Sequence, residues 1–444
     1  MSMDSIPPGA EQADALEALL EQHSAEQLRY FWRNFTVNVL CEAFWGFALT
    51  LVSATAVLPV YISSLGARPA LLALLPAVQY LGFGLLQLPG AFYAIRLPRK
   101  REWFLGLHSF PILCWFGVAA VAQHARGLGL GTALALSLLG IGGQSLLFGA
   151  VMPMWGDFVN RQMPQQRRGR MFGVAFAVGA AAGLAAGAFT TGTLEAHPGT
   201  KGFAICFLVA AIAMTVGIAV GFIVHEPAAP FAPTRMGVRE FVGHLREAVA
   251  QRPGLRRLLL ARIPVEAGIM AGPYLAVYAQ QRAGLGDEAA GTFAIALTLG
   301  QAVASPLVGW LGDRRGYKLP LVLGTALSPV ALGLMLGAQR AEAFTLIFVL
   351  LGAAILADWL STMNLVIELC PEADKTIYQA LYGTLVIPQR LLYPLLAGLL
   401  VSRFDMRAVF GVTLAVQLLG LAAVALVVRD PRAERAEVAD GVTE

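Results

Sequence analysis

The sequence predicts an all-α membrane protein: twelve transmembrane helices in two pseudo-symmetric six-helix bundles. Three observations carry this. Of 444 residues, 57% are hydrophobic and only 14% charged, against about 25% charged in a soluble domain. The charges are bunched between apolar runs of about 20 residues, the length of a helix that spans a bilayer. The two halves of the chain also echo each other in order: Glu42-Ala43 with Glu266-Ala267, Gly90 with Gly309, Asp157 with Glu368, Gly173 with Gly383. Two parallel six-helix repeats give this kind of slowly drifting correspondence.

The elements follow in chain order. Residues 1–35 form an N-terminal segment, polar and acid-rich to residue 27. In it Ala13, Leu16, Leu19 and Leu20 recur at helical spacing. Arg29, Tyr30, Phe31, Trp32 and Arg33 make a basic-aromatic anchor where the membrane begins. The first bundle, 36–224, reads as spans at 36–63, 69–94, 103–123, 131–156, 171–193 and 202–224. A linker, 225–257, opens with Pro227, Pro230 and Pro233. It continues as an amphipathic helix with Val238, Phe241, Val242, Leu245 and Val249 on one face, expected to lie on the inner membrane surface. The second bundle, 258–428, has spans at 258–280, 289–312, 318–337, 343–366, 377–401 and 408–428, and 429–444 is a tail.

Basic residues set the orientation. Arg96, Arg99, Lys100 and Arg101 share one loop, and Arg161, Arg167, Arg168 and Arg170 the next on that side. The linker, the loop with Arg314, Arg315 and Lys318, and the tail with Arg429, Arg432 and Arg435 fall there too. The opposite loops hold scattered examples such as Arg68, Arg126 and Lys201. Both termini are therefore expected in the cytoplasm, with the protein a multi-pass component of the inner membrane.

Soluble-type chemistry is not visible. The chain has no Gly-x4-Gly-Lys-Ser/Thr phosphate loop, which argues against ATP drive, and no His-Glu-x-x-His pair or His/Cys cluster. No cofactor or metal is expected. Cys41, Cys114 and Cys206 lie inside apolar runs, and with Cys370 they are read as packing residues. His108 reads as a packing histidine. The amino terminus is acidic and unlike a signal peptide. The net charge of +4 is topological and does not point to nucleic acid.

Ionisable groups inside spans carry the functional signal, because they are costly in a bilayer and usually face a cavity or a partner. Glu42 lies in the first span. Arg262 and Glu266 are one turn apart in the seventh, with Pro264 between them. Asp358 is near the middle of the tenth, and Arg390 near the middle of the eleventh, beside Pro388. Arg262 with Glu266, and Asp358 with Arg390, can each be a structural ion pair or part of a working site. Glu42 has no partner near it in sequence, which favours a functional role.

The stretch Pro306–Pro320 is the most diagnostic. A hydrophobic run stops at Gly312, Asp313, Arg314, Arg315 and Lys318 follow, and a new apolar run starts at Leu319. So short a loop joins antiparallel helices, and Gly309 and Gly312 are expected to let their backbones approach. The order Gly309, Asp313-Arg314, Gly316, Lys318 resembles the loop signature between the second and third helices of each half in the major facilitator superfamily. That resemblance implies a gate at the cytoplasmic rim, in which the signature and the acid ending the fourth or tenth span hold the halves together in the outward-facing state. Asp313, Arg314 and Glu368 fit it. Arg96 and Asp157 are the first-half counterparts, although Ala94 stands where an aspartate is usual. Gly179, Gly183 and Gly187 stripe the fifth span as a packing face. They resemble the glycine-rich motif of proton-driven exporters, whose proline is missing here. Gln144 is present without that class's arginine, since Ile141 occupies its position.

The resemblance implies a monomeric secondary transporter, not an enzyme, which moves a small molecule by alternating access between two rocking halves. Proton-coupled export of a small, partly apolar molecule is the favoured expectation. Uptake of a metabolite, or assembly of a membrane complex without transport, are the alternatives.

Overall fold

The computed structural model describes residues 10–227, 237–370 and 375–432, with the side chains of 10–17, 157, 165–166 and 375–376 excluded. Pro230, Pro233 and Arg435 lie outside the described residues. The described chain is helical throughout its ordered elements, and 11 helices are long and apolar enough to cross a membrane. The twelfth span is the first one. It comes in two pieces, Phe31–Leu51 and Val57–Ser64, so the continuous span expected over 36–63 is interrupted. At the break the ladder tightens: Ser53 N–H donates to the Thr50 carbonyl at 3.2 Å, and the Ala56 N–H turns to Ser53 Oγ at 3.3 Å. A serine that offers its own oxygen to the backbone favours such a turn.

Three further spans bend at identifiable residues. The second breaks at Leu86, between Leu74–Leu85 and Gln87–Ala94, and the eleventh at Val386, between Lys375–Leu385 and Ile387–Arg403. Pro89 and Pro388 follow these breaks, and each ring clashes with the carbonyl four residues back. The seventh span, Pro253–Val265 continued by Gly268–Ala283, passes through a tight turn at Glu266. There Ala267 N–H reaches the Pro264 carbonyl and Ile269 N–H the Glu266 carbonyl, at 3.3 and 3.1 Å. A short run of three-residue turns inside a helix often marks a hinge.

Two cores hold the bundle. The larger includes the fully buried rings of Tyr61, Phe203, Phe207, Tyr274, Phe293, Phe344, Phe348 and Phe410. The smaller lies at the basic end and includes the linker helix, Val238–Gln251. Phe241, Leu245 and Ala248 of that helix are buried against Leu255, Tyr378 and Leu381, while Val238 and Val242 are exposed. The apolar face expected to meet lipid is thus partly protein-covered. Phe241 also stands edge-on to Phe92 of the second span, with ring centroids 5.1 Å apart.

Two seams join the first-half helices to the second-half ones. Along one, the fifth span, Gln165–Ala196, meets the eighth, Ala289–Arg315. A Cβ on Gly187 would strike Ile295, and one on Gly291 would strike Thr191. The glycine stripe therefore packs as the sequence implied, with Gly179 against the Glu42 carbonyl of the first span and Gly183 against Thr50. Along the other seam, the broken second and eleventh spans interlock reciprocally. Ile387 fills the space over Gly84, and Gln87 the space over Gly383.

Candidate functional site

A cavity of about 740 Å³ lies between the seams and draws its walls from both halves. That volume suits a drug-sized molecule. Its charged lining residues are Glu42, Arg262, Glu266, Asp358 and Arg390, so the five intramembrane charges singled out in the sequence share one space.

The first-half wall is built on the helix Phe31–Leu51. Asn38, Glu42, Trp45 and Leu49 recur at helical spacing and face the cavity. Asn38 is fixed by donating to Gln162 Oε1 at 2.7 Å. No hydrogen bond or ion pair joins the Glu42 carboxylate to another described residue. Around it stand aromatic rings: Trp45 lies 5.4 Å from His108, which lies 5.6 Å from Phe148, with Phe83 6.1 Å beyond. His108 is buried and its Nδ1 meets the Phe104 carbonyl at 2.8 Å, as a packing histidine would.

The second-half wall is an ion chain. Arg262 Nη2 donates to Glu266 Oε1 at 2.6 Å and to Asp358 Oδ2 at 2.9 Å, while its Nη1 reaches Asp358 Oδ1. Arg390 Nε and Nη2 donate to the two oxygens of Glu266 at 2.8 and 3.1 Å. The expected pairing of Asp358 with Arg390 is therefore corrected: Asp358 takes Arg262, and Arg390 takes Glu266. The tight turn at Glu266 places that carboxylate between both guanidiniums. Arg390 also covers the ring of Tyr80 from the opposite half, 5.0 Å from its centroid. Five buried polar atoms of the lining have no hydrogen-bond partner among the described residues: Gln87 Oε1, Arg262 Nε, Thr325 Oγ1, Thr362 Oγ1 and the Tyr382 hydroxyl. Tyr80, Gln87 and these hydroxyls were not singled out from sequence. Polar uncharged residues in an apolar run carry little signal until the fold shows that they converge.

The rim residues form two clasps at the basic end. In the second half, Glu368 is met by Arg432, Nη2 at 2.7 Å and Nε at 3.0 Å, and Arg432 Nη1 donates to the Asp313 carbonyl at 2.9 Å. Arg314 lies over the Trp310 ring, 4.7 Å from its centroid, and the Asp313 carboxylate accepts a long bond, 3.4 Å, from the Tyr317 hydroxyl. Gly316 has φ +76°, and the Asp430 carboxylate occupies the space a side chain would need there. Gly309 faces open space, so the close approach expected of it is absent. Gly312 instead lies against the Tyr317 ring. In the first half, Arg96 covers the Phe92 ring at 3.8 Å, and the side chain of Asp157 lies outside the described residues. The clasp there is built on Glu226, which the sequence did not flag. Its carboxylate accepts from the backbone N–H of Lys100 at 2.8 Å and of Arg101 at 2.7 Å, and stands 3.8 Å from Arg161. Burial pushes the Glu226 carboxyl above the usual range, against the pull of those N–H groups and of Arg161.

Residues 258–442 match the family model described as the Major Facilitator Superfamily. No curated protein sequence matches the chain. Among solved structures, the fold is similar to the nucleoside transporter NupG, with a TM-score of 0.66 at 10% identity over 90% of this chain and 99% of that one. It is similar to a POT family transporter in complex with a thioalcohol-conjugated peptide, with a TM-score of 0.64 at 14% identity over 89% and 95%. A third similar fold is an inward-facing, unoccupied bacterial homologue of the human lysosomal transporter Spinster, with a TM-score of 0.55 at 15% identity over 90% and 95%.

Proposed function

We propose that the chain is a member of the Major Facilitator Superfamily, whose model matches residues 258–442, and that it is a monomeric, proton-coupled secondary transporter that exports a small, partly apolar molecule through the central cavity. Its basic end, with both termini, faces the cytoplasm of a cell whose inner membrane it spans, following the distribution of Lys and Arg. The supporting observation is the contrast between Glu42, which has no partner among the described residues, and the other four lining charges, each of which is in an ion pair. A lone carboxylate exchanges its proton when the cavity opens to water on either side. One proton moving down a 100 mV potential supplies about 2.3 kcal/mol, enough to drive a modest solute gradient. The rim residues Asp313, Arg314, Glu368, Arg96 and Asp157 act as the cytoplasmic gate, with Arg432 as the second-half clasp that Glu368 requires.

A thermal-shift screen of the purified protein against a compound library identifies a substrate, since a ligand that binds the folded state raises its melting temperature. In proteoliposomes with an imposed proton gradient, wild type then accumulates that substrate. Glu42→Gln loses accumulation but keeps exchange without a gradient. Normal accumulation by Glu42→Gln would refute the coupling role, and Asp358 would be the next residue to test. Accumulation only in the direction of the cytoplasmic face would overturn export.

A further inference from the structure

We infer that the guest of the central cavity is an uncharged molecule with an apolar, ring-bearing body and a polar end that carries free hydroxyl groups, and that Thr325 and Thr362 select that end. The inference rests on the reading of the cavity as the transport path. It adds the class of molecule carried and the residues that recognise it.

The threonines carry the first part. Thr50, Thr190, Thr215, Thr298, Thr345 and Thr413 each donate to the carbonyl four residues back, at 2.7–3.0 Å. A threonine hydroxyl inside a helix commonly settles on that bond. Thr325 of the ninth span and Thr362 of the tenth depart from it. Both residues line the cavity, they are 3% and 4% exposed, and neither hydroxyl has a partner among the described residues. A buried hydroxyl without a hydrogen bond is destabilising, so two at the wall of one cavity make an unfilled site. A helical threonine has two accessible χ1 rotamers, which lets each hydroxyl turn from the wall to a guest.

The neighbours of this pair set the chemistry. A Cβ on Gly324 would strike Ala357 and crowd the Asp358 backbone, so the ninth and tenth spans touch beside Thr325. Thr362 is one turn from Asp358 along the tenth span. Ser328, one turn beyond Thr325, donates to Gln417 Oε1 at 2.9 Å and extends the polar strip. The Tyr382 hydroxyl, also unpartnered among the described residues, lines the same cavity. Hydroxyls both donate and accept. Guest hydroxyls do the same, whereas ester and ether oxygens only accept. The ions of this wall cancel: Arg262 and Arg390 are paired with Glu266 and Asp358. A charged group at the guest's polar end would give up its water here and find no free counter-ion. Across the cavity, Trp45, Phe83, Phe148 and Trp155 offer rings that cover an apolar body.

The probe is methylumbelliferyl β-glucoside, an uncharged ring system joined to a hydroxyl-bearing sugar, tested on the full chain in lipid nanodiscs. Equilibrium binding should saturate. The tetraacetate of the same glucoside, uncharged but without free hydroxyls, should fail to displace it. So should the corresponding glucuronide, which carries a carboxylate. Thr325→Val and Thr362→Val should each lower the affinity about three- to tenfold, and Thr325→Ser and Thr362→Ser should retain it. The valine variants should melt at or above wild type, because each removes a hydroxyl that the free protein leaves unsatisfied. A valine variant that melts below wild type would show a hydroxyl already bonded inside the protein and would overturn the inference. Absent saturable binding, wild-type affinity in either valine variant, or equal displacement by the tetraacetate or the glucuronide would overturn it too. The coupling role of Glu42 fails separately. If the valine variants lose glucoside binding while Glu42→Gln still accumulates the glucoside under a proton gradient, the inference stands and the coupling role falls. If a charged solute is accumulated through Glu42 equally by wild type and by both valine variants, the reverse holds.

Discussion

The two walls of the cavity answer the same physical demand in opposite ways. A charge inside a membrane protein needs a partner. The second-half wall satisfies this within itself: Asp358, Arg262, Glu266 and Arg390 form one chain in which every ion touches an opposite one. The first-half wall leaves Glu42 facing the cavity with no hydrogen bond or ion pair among the described residues. A saturated chain resists titration and holds helices together. A solitary carboxylate responds to whatever enters. The rim inverts the arrangement. There the first-half clasp is buried, with the Glu226 side chain 2% exposed, whereas the Glu368 side chain of the second-half clasp is 17% exposed.

The sharpest way to break this contrast is Arg262→Met, which strands Asp358 and leaves Glu266 with Arg390 alone. Loss of one member of a buried ion network costs about 3–5 kcal/mol, so the variant should give little folded protein by size-exclusion chromatography. Adding Asp358→Asn should recover part of the yield. A singly substituted protein that melts like wild type would show that the chain does not stabilise the second half.

Arg390→Lys keeps the charge but removes the two-pronged contact with Glu266 and the flat cover over Tyr80. Lysine does not reproduce a bidentate, stacked arginine. The expected loss is about 1–3 kcal/mol, read as a lower melting temperature, with crosslinking between cysteines at positions 84 and 387, which face each other across the same seam, reporting its loosening.

Glu226→Gln tests the buried clasp and its pH dependence. The folded protein holds the Glu226 proton more tightly than the unfolded chain does, whose carboxyl titrates near 4.5. The folded state therefore binds more protons, and this group's contribution to stability declines as pH rises from the unfolded value through the raised folded one. Melting curves across that range should show the decline in wild type and a flatter profile in Glu226→Gln. Identical profiles would mean that the carboxylate is not strained by burial.

The smallest effect should come from Arg432→Ala. An exposed ion pair contributes about 0–1 kcal/mol, so melting should barely move. The clasp still ties Glu368 to the Asp313 carbonyl, and its loss should raise cytoplasmic-side labelling of a cysteine placed in the cavity. Asp313→Asn, which leaves that carbonyl intact, should label less than Arg432→Ala.

Much of this was legible in the sequence, for reasons that can be stated. The spans were, because bilayer thickness imposes a run length. The isolation of Glu42 was, because no charge lies near it in an otherwise apolar stretch. The partners in the ion chain were not: depth along consecutive helices pointed Asp358 to Arg390, whereas the turn at Glu266 and the packing of the seventh, tenth and eleventh spans decided otherwise. The interruption of the first span was hidden because Ser53 and Thr55 cost too little hydropathy to show. The burial of the linker helix was hidden because an amphipathic face reads alike whether lipid or protein covers it. Glu226 and Arg432 escaped notice as ordinary loop charges, since a capping role needs the third dimension.

The spacing of Arg262 and Glu266 also bears on how the chain is made. The seventh span is the least apolar of the 11 membrane-length helices, and an arginine at the centre of an inserting helix costs about 2.5–3.5 kcal/mol. Asp358 lies 96 residues further on and Arg390 lies 124 beyond Glu266, so neither has been synthesised when this helix leaves the ribosome. Glu266, one turn away, is the only member of the chain that can accompany Arg262 into the bilayer. The pair enters as a neutral dipole, and the later helices are recruited to it. The order in which the second half assembles is thus written in which carboxylate is local and which is remote.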